Sequence, residues 1–405
     1  MKSVRSAVGR GRRRSGIIAA VAALGILVAA CSPPANGGDS SGSAGSGGGS
    51  DADAQAAVAA ADEQLVVARK GRQTEPPSDP SPAAPKQNVW IIQSSAAGPS
   101  VAIPANAAAE AGKVLGWDVT LYDAKGDPGN YTKGISNAIA NGATGLVLVA
   151  IDCSYVTNQL KDAKAKNIAV TEVYAFDCDD TNPGSESLFS ADLSFGDRYA
   201  SLLDAWEQWG SDTAAWIISA TGGKAHPMVL KNEQIAVLIS YQKGFEERMA
   251  ECKTCTVIDV PWDVITSGTP AAIAQLMKSA VLKNPEINSS MFGSTVTSGY
   301  NQAILGLGAK AKEMQVIAGL GLPDEFNLIR ESKGLQATTA WPQEWIGWAA
   351  MDSINSYVKG EEPRDQGLGW QIIDNTNPED MPPSGELYQG SDDFREVYTK
   401  SWTGQ

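Results

Sequence analysis

The side chains able to do chemistry in this 405-residue chain are few: five cysteines and a single histidine. Cys252 and Cys255 stand as a CxxC pair. Redox-active pairs of that spacing sit at the start of a helix, where the macrodipole lowers the thiol pKa. This pair instead follows a helical stretch over 244–250 and precedes the strand-like TVIDV. Zinc needs four ligands, and one histidine is too few to complete the set. The pair is therefore expected to be a structural disulfide. Cys153 and Cys178 each stand just past a strand-like run, and a bond joins them if those strands are neighbours, since adjacent strands lie about 4.8 Å apart. His226, in GGKAHPMV, lacks a partner that would make it a catalytic base. Asp177, Asp179 and Asp180 fall in DCDDTNPGSES, which lacks the spacing of a calcium loop and reads as a solvated loop. No GxGxxG follows the first strand, no P-loop is present, and no GxSxG stands at a strand-to-helix turn, where a nucleophile elbow would need it. No enzyme activity, metal or cofactor is expected.

The fifth cysteine has a different setting. Lys2, Arg5, Arg10, Arg12, Arg13 and Arg14 precede fifteen uncharged residues at 16–30. That is short of the roughly 20 residues of a spanning helix, and the order is that of a secretion signal. The run ends in Val28-Ala29-Ala30-Cys31, which resembles a bacterial lipobox, whose cysteine takes a lipid and becomes the first mature residue. Residues 1–30 are thus expected to be a signal peptide; the arginines at 12–14 leave general and twin-arginine export both open. Losing six basic residues and no acid takes the net charge from −14 to −20. Such a surface repels nucleic acid and anionic headgroups, so no nucleic-acid partner is expected and the membrane tether is lipid.

The elements that must position these residues begin after a leash. Residues 32–50 are Gly/Ser/Asp-rich and, as a random coil, span roughly 25 Å. Residues 51–70 have helix-forming composition and 76–85 are proline-rich, so 31–87 reads as a flexible linker with a short helical segment. The fold is expected to begin near Asn88. From there strand-like runs alternate with helical stretches: NVWIIQS, a helix over 105–115, WDVTLYDA, 131–140, GLVLVAI, 155–165, AVTEVYAF and a shorter LFSADLS. A second series runs through AAWIISA, 239–250, TVIDVPW, 270–282, SSMFGS, 299–307, MQVIAGLG, 324–331 and LQATTAW. Apolar strands alternating with amphipathic helices predict parallel sheets covered on both faces. The expected class is α/β, two doubly wound parallel-sheet lobes, with ligands beyond the carboxyl ends of the strands. Asp152 and Asp263, at strand ends, are expected to be helix N-caps.

Five stretches then run in a recognisable order: LGWDVTLYDAKGDPGNYTKGISNAIANGATGLVLVAID, YQKGFEERM, VPWDV, AGLGLPD and KGLQATTAWPQEWIGWAAMDSINSYVKGEEP. With them the span 88–404 resembles the solute-binding proteins of bacterial ABC importers, of the ribose-binding-protein-like type. The resemblance implies the type I periplasmic binding protein fold, two lobes joined by three hinge strands. It places lobe one at 88–193 plus 341–366 and lobe two at 194–340 plus 367–405. The crossings fall near 192–194, 340–341 and 361–367, and YTKSWTG matches the terminal segment.

Carried over residue by residue, the resemblance implies an unusual cleft. The aromatics that often follow the first strand are absent at Ser100 and Val101, close to Ser95. The family's Asp-Arg pair falls on Tyr174 and Ala175, with Asp177 close by. Its arginine aligns with Ile239 or Tyr241, its Asn-Asp with Thr295 and Val296, its acid with Leu320 and its hinge glutamine with Trp341. The aromatic of VPWDV is kept as Trp262. A sugar is held by dense hydrogen bonds, and each buried hydroxyl left unpaired costs about 1–3 kcal/mol. Trp262, Trp341, Tyr174, Tyr241, Thr295, Leu320, Ser95 and Asp177 are the expected ligand contacts, and their aromatic faces favour a flat or less polar solute.

The implied function is capture without chemistry. A monomeric extracytoplasmic receptor, held by lipid on the outer face of the membrane, takes a sugar, polyol or flat solute and delivers it to an ABC permease. Presentation to a membrane kinase uses the same cleft and is the alternative; a secreted enzyme is the remoter one.

Overall fold

The structure, a computed structural model, describes residues 50–263, 269–293, 297–391 and 393–404. The expected signal peptide, Cys31 and Thr295 lie outside them. Helix α1 (Asp51–Lys70) precedes a parallel sheet of β1 (Asn88–Gln93), β2 (Asp118–Asp123), β3 (Gly145–Val149) and β4 (Ala169–Val173), in the order β2-β1-β3-β4. Helices α2 (Pro99–Val114), α3 (Pro128–Ala140) and α4 (Cys153–Ala165) cross between these strands, and a short α5 (Cys178–Thr181) follows β4. β3 and β4 are buried along their whole length, which is why β3 reads as an unbroken apolar run and β4 as one interrupted only by Thr171 and Glu172.

The second lobe opens with α6 (Leu202–Ala220), β5 (Pro227–Lys231), α7 (Ala236–Ala250) and β6 (Ile258–Pro261). It continues through α8 (Pro270–Lys283), β7 (Ser289–Gly293), α9 (Thr297–Leu307), α10 (Ala309–Glu313), β8 (Gln315–Leu320), α11 (Pro323–Arg330) and β9 (Ala337–Ala340). The chain then forms α12 (Gln343–Lys359), β10 (Gln371–Asp374) and α13 (Phe394–Thr403). The sheet order is β10-β9-β8-β7-β5-β6, with β10 antiparallel. α12 packs on α2 and β4, so it belongs with the first sheet. The two sheets and their covering helices form the two lobes expected from the alternation of strands and helices.

Helices α6 and α7 touch backbone to backbone. A Cβ at Gly210 would lie 1.9 Å from the Tyr241 carbonyl oxygen, and one at Gly244 would lie 1.8 Å from that of Glu207. Only glycine at both positions permits that approach.

Several expectations need correction. AAWIISA is the last part of α6, and the strand of that region is Pro227–Lys231. A short apolar run reads equally as buried strand or buried helix, and here Ser201 fixes the helix start by accepting the Asp204 N–H at 3.1 Å. LFSADLS forms no strand; within it only Ser194 makes a bridge, to Asp365. That bridge, with the Gln366 N–H donating to the Ser194 carbonyl at 3.0 Å, joins the first and third crossings.

The flexible linker is not observed from Ser50 onward. Ala54, Ala57, Ala61, Leu65 and Ala68 of α1 are buried at helical spacing, and the helix packs on α6. Residues 71–84 then run as an extended strap over both lobes. The tail, expected with lobe two, packs instead on α12: Trp402 stacks on Trp348 with centroids 5.4 Å apart and Phe394 stacks on Trp345 at 6.0 Å.

Both disulfides are formed. Cys153 and Cys178 follow the paired strands β3 and β4, with Cα atoms 5.1 Å apart, and Cys252–Cys255 closes the end of α7 at 5.3 Å.

Candidate ligand site

Parallel strands deliver their next residues to one end of each sheet. Three of these residues have positive φ without being glycine: Ala150 after β3 at 54°, Tyr174 after β4 at 55°, and Leu320 closing β8 at 106°. Such backbone is disfavoured for side chains with a Cβ and persists where the surroundings hold it. Tyr174 and Leu320 are both expected site residues, and Trp341 follows β9 beside them, its backbone N–H donating to the Leu320 carbonyl at 3.2 Å.

Around these positions lies a cluster of rings drawn from both lobes. Tyr174 meets Trp206 of α6 with centroids 5.6 Å apart. Trp206 lies 4.6 Å from Trp341 and 4.9 Å from Trp209. Trp341 continues to Trp370 at 5.1 Å, and Trp370 stacks on Tyr199 at 5.6 Å. One apolar core cluster therefore runs continuously from the first sheet, through Tyr174, Trp206 and Trp341, into the second.

The polar atoms of this cluster are the unusual part. The indole N–H groups of Trp206, Trp209 and Trp341 are buried without a hydrogen-bond partner, and the buried Tyr174 hydroxyl and Gln343 amide have none but each other. Trp370 differs, since its N–H reaches Asp212 at 2.9 Å. Leaving a buried donor unmet costs about 1–3 kcal/mol, so the concentration of such groups at the strand ends is a feature to be explained. None of these five side chains is charged. Burial pushes the Tyr174 hydroxyl well above the ordinary phenol range, opposed by the adjacent Gln343 amide, so Tyr174 is a neutral donor at any physiological pH.

The other expected contacts are placed differently. Tyr241 is buried between α7 and α6, its hydroxyl bonded to Thr213 at 3.0 Å and its ring 4.3 Å from that of Trp209. It supports the cluster from behind. Trp262, after β6, is half-buried and donates its N–H to the Leu230 carbonyl at 3.2 Å. Ser95, also half-buried, accepts from the Ala97 N–H at 3.4 Å. Asp177 is neither solvated nor free for a ligand: it is 5 % exposed, caps α5, and accepts from Leu188 N–H at 2.7 Å and Phe189 N–H at 2.8 Å. Asp152 makes no side-chain cap on α4. Its carboxylate accepts the Phe176 N–H at 3.0 Å. Burial pushes it up to about 6, against that bond and one from Ala236 at the start of α7 in the other lobe. Asp263 bonds with Gln234. His226 stands just before β5, at the amino end of the strand and away from the site.

At the first crossing, Glu172 of β4 accepts the Leu193 N–H at 2.9 Å. Burial, then the charge of Asp192, raises its carboxyl well above the carboxylate range.

Trp206, Trp209 and Gln343 escaped the sequence reading. The signal available was WEQW, two tryptophans at i, i+3 on one helical face, and Gln343 lies two residues past an expected contact. A surface groove of about 280 Å³ between α6 and α7, lined by residues such as Asp204, Glu207, Glu247 and Glu251, shares no lining residue with the cluster.

The hinge pairing joins two doubly wound lobes, with a buried set of polar groups where they meet. Residues 89–362 match the periplasmic binding protein domain family, and the chain belongs to it. No curated protein matches the sequence. Among solved structures, it is similar to the binding component of the arabinose ABC transporter of Shewanella sp. ANA-3 at 19 % identity, covering 72 % of this chain and 93 % of that one, with a TM-score of 0.60. The 5-methylthioribose transporter binding protein of Thermotoga lettingae is 15 % identical over 81 % of this chain and 99 % of its own, with a TM-score of 0.62. An ABC transporter solute-binding protein of Mycobacterium smegmatis with bound glycerol is 17 % identical over 75 % and 99 %, with a TM-score of 0.61. At these identities the likeness is one of fold. The family and these neighbours are transport binding proteins.

Proposed function

We infer that this protein is the extracytoplasmic receptor of an ABC importer. It captures a neutral sugar, polyol or flat solute between its lobes and hands it, chemically unchanged, to a membrane permease. The observation that carries the reading is the set of buried polar groups on Tyr174, Trp206, Trp209, Trp341 and Gln343, which come from both lobes and have no hydrogen-bond partner outside the set. A solute with several acceptor oxygens satisfies them, and a ligand touching both lobes favours the closed arrangement by its differential contacts. Trp262, Leu320, Ser95 and Thr295 complete the proposed lining, with closure about the crossings at 192–194, 340–341 and 361–367. Lipid on Cys31 holds the monomer at the outer face of the membrane.

The test is native mass spectrometry of protein purified without refolding, followed by thermal-shift screening of sugars, polyols and aromatic acids. A co-purifying neutral solute that raises Tm and is recovered intact supports the reading. Turnover of that solute overturns it.

A further inference from the structure

We propose that the N-terminal strap is a fourth hinge segment, which holds the two lobes near the angle seen here and limits their opening. Its first anchor is on lobe two. Arg72 pairs with Asp212 of α6, its Nη2 at 2.7 Å from Oδ1, and Asp212 is fully buried. Arg69 of α1 reaches Asp374 of β10 at 2.8 Å. The second anchor is on lobe one. Ala84 N–H donates to Asn355 of α12 at 2.9 Å, Trp117 donates to the Ala84 carbonyl at 2.7 Å, and Ser81 N–H donates to the Ser401 carbonyl at 2.9 Å.

Between the anchors the strap lies along the third crossing, held by two backbone hydrogen bonds. Arg72 N–H donates to the Trp370 carbonyl and Thr74 N–H to the Gly367 carbonyl, both at 2.8 Å. The approach requires glycine on the crossing: a Cβ at Gly367 would lie 2.3 Å from the Glu75 carbonyl oxygen, and one at Gly369 would lie 2.4 Å from the Arg72 carbonyl carbon. Arg198, just past the first crossing, ties three segments at once. It donates to the carbonyls of Arg72 at 2.9 Å and Leu368 at 2.7 Å and pairs with Asp365 at 2.8 Å.

The mechanical consequence follows from chain length. From Arg72 to Pro77, whose carbonyl accepts from Arg364 at 2.8 Å, the backbone reaches at most roughly 17 Å. Lobe opening must therefore either carry the strap with the third crossing or break its backbone bonds.

The test uses the full-length chain and needs no ligand. In the unaltered protein, hydrogen exchange at Arg72 and Thr74 should be as slow as at Gln366, which joins the first and third crossings. Thr74→Pro removes one donor to the crossing. It should speed exchange at Gln366 roughly five- to tenfold, the factor that one lost net hydrogen bond gives, and shift small-angle scattering to a larger radius of gyration, with unchanged circular dichroism. A strap that merely adds stability would lower Tm and leave the scattering curve alone. Should Thr74→Pro fail to fold, Arg72→Lys, which keeps the charge and loses the fork, is read the same way. A folded variant whose scattering superimposes on that of the parent overturns the proposal, as do fast Arg72 and Thr74 amides beside a protected Gln366.

Discussion

The indoles of Trp206 and Trp341 lie with centroids 4.6 Å apart, and neither N–H has an acceptor. Trp206 is on the first helix of lobe two, and Trp341 is where the chain returns to lobe one. Packing and hydrogen bonding make separable demands at this contact. Trp341→Ala removes a fully buried indole and should cost about 3–5 kcal/mol of stability. Trp341→Phe keeps part of the ring contact and removes the unmet donor together with the rest of the five-membered ring, so its Tm should fall less than that of Trp341→Ala. If the donor serves a ligand, the Phe variant should bind the co-purified solute about tenfold more weakly by calorimetry, the loss of one good hydrogen bond. Equal affinity would show that the indole N–H faces no ligand.

Trp262 offers a milder version of the same question. Its N–H is already satisfied by the Leu230 carbonyl, so any role in binding is through the ring face. Trp262→Ala should leave far-UV circular dichroism unchanged and abolish measurable solute binding. Retained affinity would restrict the site to the Tyr174–Trp206–Trp341 group.

How far these residues were legible in the sequence depended on which rule each obeyed. The strand-to-helix alternation located all four strands of the first sheet and four of the six in the second, missing β5 and β10, because parallel strands buried on two faces leave unbroken runs such as GLVLV and MQVIAGL. AAWIISA obeys the same rule while being helical, and taking it for a strand hid the helix that carries Trp206 and Trp209. Tyr174, Leu320 and Trp341 were reached by matching the family's motifs residue by residue, and the structure places them where β4, β8 and β9 end. Asp177 lies close to such a point, but nothing in DCDDTNPGSES discloses that its carboxylate turns back to cap α5 and two distant N–H groups. The strap was illegible for another reason. Proline-rich composition describes stiffness, while its attachment depends on glycines nearly three hundred positions away in sequence, at 367 and 369.

The two disulfides should differ in what they contribute. Cys153 and Cys178 are 25 residues apart and Cys252 and Cys255 only three. Chain-entropy arguments give about 3–4 kcal/mol for the longer loop and roughly 2 kcal/mol for the shorter. Replacing Cys153 and Cys178 by alanine together should therefore lower the urea midpoint more than replacing Cys252 and Cys255. The reverse order would mean that the loop between β3 and α5 stays structured in the unfolded chain.

Asp152 gives the chain a pH dependence whose sign is fixed by its surroundings. Its carboxyl has an ordinary value of 3.8 and is pushed up to about 6 in the folded protein, chiefly by burial. Between those values the native state keeps a proton that the unfolded chain has released, so stability falls as pH rises through that window and levels off above it. The group's contribution is thus fully present below about pH 4 and lost above about pH 6, a span worth at most about 3 kcal/mol. Asp152→Asn keeps the carbonyl oxygen that accepts the Phe176 N–H and removes the titration. Compared by urea unfolding at each pH, the variant should gain on the parent from pH 4 to pH 6 and hold that advantage at pH 7. Subtracting the two profiles cancels every other titrating group that the substitution leaves alone. Parallel profiles across the window would mean that water reaches the Asp152 carboxylate between β3 and the start of α7.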